Sequence, residues 1–276
     1  AGGYVHCLLG NHEAMDIYGD LRYVAPGEYA AFHDENSAKL RDQNYAQYRE
    51  MIAQAADGKG PKLQEETRDQ WYTQHPLGFF EHRAAFATDG VYGKWLRAHD
   101  TVIRIDGNLF VHAGLAAKFA RHSLDDINRE VREELDNPQK LQGGIVTDED
   151  GPLFYRGLAK GDEKTLSAGL DKVLQKFDAK REVIGHSYAR AAITPRFDGR
   201  VIMIDIGLSR VYDNIGKMGC LLIENGTPYA LHRGIKLALP GGDDKTEMLA
   251  YLKKAAALDP PPSPLADRIK ELEAAK

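Results

Sequence analysis

The sequence predicts an α/β fold, because short apolar runs that stop at polar, glycine-containing turns alternate with amphipathic helical segments. Three of these runs end at a turn that carries a histidine: Gly10-Asn11-His12-Glu13, Val111-His112-Ala113-Gly114 and Gly185-His186-Ser187. Strand ends are also where open α/β sheets bind their ligands. The three turns therefore predict both the fold class and the place of its site.

The first quarter of the chain predicts one strand followed by helices. Tyr4–Leu9 is an apolar run that predicts a buried strand. Residues 36–56, rich in Ala, Gln, Glu and Arg and ended by a Gly- and Pro-containing turn, predict a helix, and a second helix is expected from Gln64 to His75. Because both helices precede the next strand, we expect a helical cap insertion at about 25–100.

The middle of the chain predicts the strands that carry the two later histidines. Thr101–Ile105 and Leu109–His112 flank an Asp-Gly turn, which is a strong hairpin pattern. A helix is expected from a Ser123 cap to Leu135, with apolar residues on one face. Apolar residues at helical spacing in 166–177 predict another helix, which leads into a strand at Glu182–Ile184.

The last third predicts further strands and a distinct tail. Val201–Asp205 is a buried-strand pattern, and Cys220–Glu224 with Tyr229–His232 forms a hairpin around an Asn-Gly turn. We expect one domain to end near residue 240. Residues 241–276 contain a polar turn at 241–244, short helices and a proline-rich spacer, so they are expected to be an appendage without chemistry of its own.

Composition excludes several classes of protein. The chain has 276 residues and a formal net charge of -5, which argues against a nucleic-acid partner. No apolar run reaches the ~18 residues of a membrane helix. Cys7 and Cys220 lie far apart in apolar runs and are predicted to be buried thiols. The chain does not begin with Met, so we expect its natural N-terminus to be missing, and a soluble protein could be cytoplasmic or periplasmic.

The three turns supply the ligands of a candidate metal site. If their strands end at one sheet edge, the amide oxygen of Asn11 and the imidazoles of His112 and His186 come together. That donor set suits Mn, Fe or Zn, and such a cation polarises a phosphoryl oxygen and supplies hydroxide near neutral pH. Each of these histidines alone would be an ordinary core residue, and Asn11 alone a helix cap. Their shared position after strands carries the prediction.

Five blocks in order resemble the Shewanella-like protein phosphatases, a bacterial-type branch of the calcineurin-like metallophosphoesterases. Leu9–Glu13 followed by Gly19–Val24 is similar to that family's signature region. Phe110–Leu115 resembles its His-Gly-Gly block, Phe154–Gly157 its Tyr-Arg-Gly block and Val183–Ser187 its Gly-His-Thr block.

The resemblance implies a four-layer α-β-β-α sandwich and a cofactor of two divalent metal ions, Mn, Fe or Zn. Asn11, His112 and His186 would bind the second ion. His12 would be the general acid that protonates the leaving oxygen, and Arg156 would bind the phosphate. The implied reaction is hydrolysis of a phosphomonoester in a phosphoprotein or phosphopeptide, with a lean toward phosphotyrosine.

The chain also departs from the family. Family members carry Gly-Asp-x-His and Gly-Asp-x-x-Asp-Arg-Gly blocks before the Asn-His-Glu turn, and these supply the first ion's ligands. Only nine residues precede Gly10 here. We therefore expect a fragment with little or no phosphatase activity by itself.

Two other functions stay open at this point. The chain could be a calcineurin-like hydrolase of nucleotides or small phosphoesters. It could also be a degenerate, non-catalytic binding module that has lost the two upstream blocks. Reading the encoding DNA upstream of Ala1 would separate a fragment from a degenerate module, because only a fragment continues in frame into those blocks.

Overall fold

The computed structural model describes residues 2–57, 65–210, 216–241 and 244–275. The chain divides into two compact units. One combines Ala1–Asn11 with His99–Lys276 and holds both β-sheets, and the other is His12–Ala98. None of the described helices combines the length and the apolar character needed to cross a lipid bilayer.

The unit His12–Ala98 is built from helices in its described residues. The helices in this part of the chain are α1 (Asn11–Tyr18), α2 (Pro26–Phe32), α3 (Ser37–Ala56), α4 (Arg68–Gln74), α5 (Phe79–Phe86) and α6 (Val91–Arg97). The predicted helix at 36–56 is confirmed as α3. Helix α4 begins after a capping box of Thr67 and Gln70, and the predicted start at Gln64 lies outside the described residues.

Aromatic rings form the core of this helical unit. Trp71 of α4 is buried and stacks on His75 with ring centroids 4.1 Å apart. His82 of α5 is buried and stacks on Phe86 at 4.5 Å. Large rings bury much apolar area per residue, which explains how helices with so many charged residues form a compact unit.

In the described part of the chain, five strands form a mixed sheet with the order β1-β2-β3-β5-β4. The strands are β1 (Val102–Ile105), β2 (Asn108–Val111), β3 (Arg181–Ile184), β4 (Thr194–Arg196) and β5 (Val201–Met203). Strands β2, β3 and β5 are parallel, and Val111, Ile184 and Met203 pair across them. Their carboxyl ends therefore lie at one edge of the sheet.

A second, antiparallel sheet has the order β6-β7-β8. Its strands are β6 (Gly219–Glu224), β7 (Thr227–His232) and β8 (Ile235–Ala238). The helices of the same unit are α7 (Leu124–Asp136), α8 (Gly157–Lys160), α9 (Glu163–Lys176), α10 (Lys245–Ala256) and α11 (Ala266–Ala274), with short 3-10 helices at Ala117–Arg121 and Pro138–Lys140.

Most of the predicted elements of this unit are confirmed. The two hairpins appear as β1-β2 and β6-β7. Ser123 caps α7 by accepting a hydrogen bond from the Asp126 amide. Helix α9 buries Leu170, Val173 and Leu174 on one face, as its periodicity predicts. Strand β5 ends at Met203, two residues before the predicted end.

The predicted first strand is wrong. Tyr4 and Val5 are each 82% exposed. Only Leu8 pairs with another strand-like segment, through one parallel bridge to Asp100. An apolar run becomes a strand only where a neighbouring segment pairs with it, and among the described residues no further pairing is present for Tyr4–Leu9.

The prediction of buried thiols is also wrong, because Cys7 and Cys220 are both exposed. Cys7 lies in the N-terminal segment, which forms no strand among the described residues. Cys220 lies on β6 and lines an apolar groove of about 370 Å³ together with Phe110 of β2 and Val183 of β3. The groove lies between the two sheets, so an apolar sequence pattern there does not lead to full burial.

The segment 241–276, predicted as an appendage, packs into the core of this unit. Tyr251 and Leu252 of α10 and Leu265, just before α11, are buried among residues of both sheets. The predicted polar turn at 241–244 lies partly outside the described residues. The tail therefore belongs to the body of the β-containing unit.

Candidate metal and phosphate site

Three side chains from distant parts of the sequence converge at the carboxyl edge of the five-stranded sheet. The Nε2 atom of His112 lies 2.7 Å from the Oδ1 atom of Asn11 and 3.1 Å from the Nδ1 atom of His186. The Nδ1 atom of His186 lies 3.3 Å from the same Asn11 oxygen. One oxygen and two nitrogens thus form a small triangle.

The sheet explains why these residues meet. His112 follows the last residue of β2, and His186 comes two residues after β3, the parallel neighbour of β2. The Gly185 amide donates to the His112 carbonyl at 2.8 Å, which ties the two turns together. On the other side, the Leu9 amide donates to the Asp100 carbonyl at 2.9 Å and holds the chain just before Asn11.

The triangle fits a divalent cation. Ligand atoms that share one such ion at about 2 Å are themselves roughly 3 Å apart, and the observed separations are 2.7, 3.1 and 3.3 Å. Asn11 is only 6% exposed, so little water competes for its oxygen. Within the described ranges, no cluster of three His, Cys, Asp or Glu side chains is placed to hold a metal. The candidate site therefore consists of one amide and two imidazoles.

Two glycines allow the site loops to approach one another. Gly114 has a φ of 126°, and a Cβ there would lie 3.2 Å from Leu158 and 3.4 Å from the Tyr155 ring. A Cβ on Gly157 would overlap the Tyr155 ring itself. Small residues are thus required on both sides of the Tyr155 side chain, which accounts for glycine after His112-Ala113 and after Arg156.

Arg156 lies beside the His186 turn. Its Nη1 donates to the Ser187 hydroxyl at 3.2 Å and reaches the His186 carbonyl at 3.5 Å. The Arg156 residue is exposed while Ser187 is 2% exposed. Ser187 therefore holds one nitrogen of the guanidinium, and the planar fork of remaining donors faces solvent, where it can bind an anion.

Glu182 of β3 is a site residue that the sequence analysis missed. Its side chain is fully buried and accepts a hydrogen bond from the Leu115 amide at 3.0 Å, three residues after His112. Burial raises the pKa of the Glu182 carboxyl to about 8. At neutral pH the group is therefore largely a neutral acid that holds the His112 turn. An acidic residue inside an otherwise apolar strand pattern is the feature that could have revealed it.

His12 belongs to the helical unit, whereas Asn11, His112, Arg156 and His186 belong to the β-containing unit. His12 follows Asn11 directly and is exposed in the first turn of α1. Its ring stacks on Tyr23, with centroids 4.6 Å apart and planes 12° from parallel.

Several carboxylates lie on helix α1 or in the segment that follows it. Burial, together with the charges of Glu28 and Glu13, raises the pKa of Asp16 to about 6. Arg22 pairs with Asp20 through bonds of 2.8 and 2.6 Å, and that contact lowers the pKa of Asp20. Glu13 is exposed on the same helix as His12. These groups lie in the same unit as His12.

No protein-family model matches this chain. Several known proteins are similar to it in sequence. The chain is 29% identical to Shewanella-like protein phosphatase 2 of Arabidopsis thaliana, over 76% of this chain and 54% of the relative. It is 24% identical to Shewanella-like protein phosphatase 1 of Plasmodium berghei, over 76% and 49%. An uncharacterized protein of Schizosaccharomyces pombe is 28% identical over 76% and 53%.

Solved structures are similar to this chain in fold. The cold-active protein-tyrosine phosphatase of a psychrophilic Shewanella species matches with a TM-score of 0.57 and 26% identity, over 86% of this chain and 60% of that one. A second solved structure of a cold-active protein tyrosine phosphatase matches with a TM-score of 0.58 and 26% identity, over 86% of this chain and 57% of that one.

These matches confirm the predicted metallophosphoesterase-type α/β class. The chain spans about half the length of the curated relatives it matches. The chain is related in sequence and in fold to the Shewanella-like protein phosphatases.

Proposed function

We propose that this chain carries the metal- and phosphate-binding part of a metal-dependent phosphomonoester hydrolase that acts on phosphoproteins. The observation that carries the proposal is the triangle of Asn11 Oδ1, His112 Nε2 and His186 Nδ1, with separations of 2.7 to 3.3 Å. Relatives named as protein phosphatases support the reaction class. Solved structures titled as protein tyrosine phosphatases support a preference for phosphotyrosine.

Asn11, His112 and His186 would hold one divalent ion, with Mn, Fe or Zn matching the donors. Such an ion polarises a phosphoryl oxygen and lowers the pKa of water. The resemblance to the family implies a second ion as well, whose ligand blocks do not occur in this sequence. The residues of this chain that remain available for chemistry are then Arg156 and His12.

Arg156 binds the phosphate in the proposed reaction. Its guanidinium is held on one side by Ser187 and is exposed on the other, so two parallel donors can reach two phosphate oxygens. The positive charge offsets the charge that spreads over those oxygens as the bond to the leaving group breaks.

His12 is the proposed general acid. The oxygen of a water molecule bonds to phosphorus, the bond from phosphorus to the leaving oxygen breaks, and the imidazolium proton goes to that oxygen to give the alcohol or phenol. Imidazole is the side chain whose ordinary pKa suits this transfer near neutral pH. Exposure of His12 and its fixed stack on Tyr23 support an oriented, accessible proton donor.

The metal assignment is tested by titrating the chain with Co²⁺ and following the visible absorption of the ion. We expect one site in the unmodified chain and at least tenfold weaker binding in Asn11→Ala, His112→Ala and His186→Ala. His33→Ala is the matched control, because His33 is an exposed histidine of the helical unit. Equal binding by the unmodified chain and all three variants would overturn the assignment.

The reaction is tested on the full in-frame product of the encoding gene with Mn²⁺. Hydrolysis of a phosphotyrosine peptide, lost in Asn11→Ala and retained in His33→Ala, supports a phosphoprotein phosphatase. A preference for diadenosine polyphosphate over both phosphotyrosine and phosphoserine peptides supports a hydrolase of small phosphoesters instead. Metal binding without hydrolysis of any of these substrates supports a binding module.

A further inference from the structure

The loop that carries His186 has an unusual backbone. Between β3 and β4, His186, Arg190 and Ala191 all have positive φ, at 59°, 52° and 69°. Residues with a Cβ rarely adopt this left-handed conformation, and they keep it only where surrounding contacts hold the chain in place. Contacts around residues 185–193 therefore hold this loop in place.

Helix α11 supplies two of these contacts. Arg268 donates through Nη1 to the Ala189 carbonyl at 2.9 Å and to the Thr194 hydroxyl at 3.0 Å. Glu271, one turn further along the same helix, pairs with Arg190 at 2.6 Å. The two contacts reach the loop at adjacent residues, three and four positions after His186.

Helix α10 supplies a third contact. The Tyr251 hydroxyl donates to the Ile193 carbonyl at 3.0 Å, and Tyr251 is 4% exposed. Ala192 and Ile193 are buried in the same cluster as Leu252 of α10 and Leu265 before α11. The C-terminal helices therefore hold the far end of the loop by both hydrogen bonding and apolar packing.

We propose that α10 and α11 form a clamp that positions His186 and Ser187, and that Arg268 is its central positioning residue. This inference rests on the proposed function, because it assigns the C-terminal helices a role in the metal and phosphate site. It also explains why a segment with a proline-rich spacer is folded into the core.

The charge state of Arg268 suits this role. Burial and the nearby Arg190 lower the pKa of Arg268 to about 10, so the guanidinium stays protonated at neutral pH. A charged donor makes a stronger hydrogen bond to a carbonyl oxygen than a neutral one. Glu271 offsets part of the positive charge of Arg190 beside it.

The clamp is tested first without metal, by hydrogen exchange of two amides that define the loop: Ala189, bonded to the Asp205 carbonyl, and Gly185, bonded to the His112 carbonyl. We expect at least tenfold faster exchange at both in Arg268→Met, and a partial return toward the original rate in Arg268→Lys. Lys270→Met is the control, since Lys270 is exposed on α11 and pairs only with Asp267 among the contacts of the described residues.

Tyr251→Phe covers the case in which Arg268→Met does not fold. It removes only the hydroxyl that reaches Ile193 and keeps the ring in its apolar cluster. We expect it to speed exchange at Ala189 by a smaller factor, about threefold. Exchange at the original rates in folded Arg268→Met, or in Tyr251→Phe if Arg268→Met does not fold, would overturn the clamp.

The second measurement is the affinity for Co²⁺. We expect roughly tenfold weaker binding in Arg268→Met and unchanged binding in Lys270→Met, in the range seen when residues that orient a metal ligand are replaced. Faster exchange with unchanged Co²⁺ affinity overturns the positioning of His186. If the unmodified chain binds no Co²⁺ while Arg268→Met still speeds exchange, the clamp on the loop stands and the metal assignment fails.

Discussion

At the scale of single residues, Glu182 shows how a buried acid can support a site without touching its ligand. The Glu182 carboxyl is fully buried and holds the Leu115 amide, so it fixes the turn that begins with His112. A neutral carboxylic acid costs far less to bury than a carboxylate. The raised pKa of about 8 therefore makes the stability of the folded chain depend on pH.

The substitution Glu182→Gln should change how the free energy of unfolding depends on pH. From the ordinary pKa of 4.5 up to about 8, the folded state keeps the Glu182 proton and the unfolded state loses it. The free energy of unfolding therefore falls as pH rises through this window, by up to about 1.4 kcal/mol per pH unit from this one group. Glu182→Gln cannot ionise, so we expect a flatter profile in urea unfolding at pH 5, 6, 7 and 8.

Glu149→Gln is the control for that measurement, because Glu149 is exposed in the same unit. It should reproduce the profile of the unmodified chain. Parallel profiles for Glu182→Gln and the unmodified chain would contradict the assignment of a neutral, buried acid at position 182.

The contrast between His112 and Glu182 shows which residues of the candidate site a sequence can reveal. The convergence of His112 and His186 was predictable, because each follows a strand and parallel strands bring such positions to one edge. Asn11 joins them from a run that pairs only at Leu8 among the described residues. Glu182 and Ser187 act through partners that are 67 and 31 residues away in sequence. Local pattern can single out Glu182 as an acid in an apolar strand, but it carries no information about the partner of either residue.

At the scale of elements, a buried ionic cluster fixes the C-terminal helices to the three-stranded sheet. Asp259 lies between α10 and α11. It accepts hydrogen bonds from His232, the last residue of β7, at 2.9 Å and from Arg233 at 2.7 Å. Its other oxygen accepts from the Ser263 hydroxyl at 2.7 Å. The Asp259 side chain is 1% exposed. Sequence reasoning missed this cluster because the prolines at 260–264 are typical of a solvated spacer.

Removing the Asp259 charge should destabilise the chain, most of all near neutral pH. Burial alone would raise the pKa of Asp259, but hydrogen bonds from Arg233, Ser263 and His232 outweigh it and hold the pKa below 3.8. The stabilisation is therefore present above pH 3.8 and is lost as pH falls through the lowered pKa. We expect Asp259→Asn to lower the free energy of unfolding by about 3 kcal/mol at pH 7 and by less at pH 3, in urea unfolding.

Two further variants provide a smaller expected loss of stability and a control without loss. Ser263→Ala removes one donor and should cost about 1 kcal/mol. Asp267→Asn, at an exposed position of α11, should cost nothing measurable. An Asp259→Asn variant as stable as Asp267→Asn at pH 7 would show that the cluster does not anchor the helices.

Most elements were predicted well from local pattern, whereas the N-terminal run, whose strand would need a distant partner, was not. Helix α3 follows from its composition and the turn that ends it, α7 from its cap and apolar face, and α9 from its apolar spacing. The two hairpins follow from their Asp-Gly and Asn-Gly turns. The run Tyr4–Leu9 has strand composition but no pairing beyond Leu8 among the described residues. Strand propensity expresses a fit to neighbours, so composition alone could not decide this case.

At the scale of the whole molecule, the candidate site links three separated stretches of one unit. Asn11 comes from the N-terminal segment, His112 from the end of β2 and His186 from the loop after β3. An ion that bridges these stretches is bound by the folded state far better than by the unfolded chain. Metal binding should therefore act as a stabilising ligand of the β-containing unit.

Thermal unfolding with and without Mn²⁺ measures this linkage directly. At an ion concentration 100 times the dissociation constant, binding to the folded state alone adds about 2.7 kcal/mol, which corresponds to roughly 5–10 °C in the midpoint for a unit of this size. We expect a chelator to remove the shift and Asn11→Ala or His186→Ala to abolish it, while His33→Ala keeps it. His33 is a suitable control because it lies in the helical unit, whereas the three proposed ligands lie in the β-containing unit. An equal shift in Asn11→Ala would place the bound ion elsewhere in the chain. The convergence of the three side chains would then have no role in metal binding.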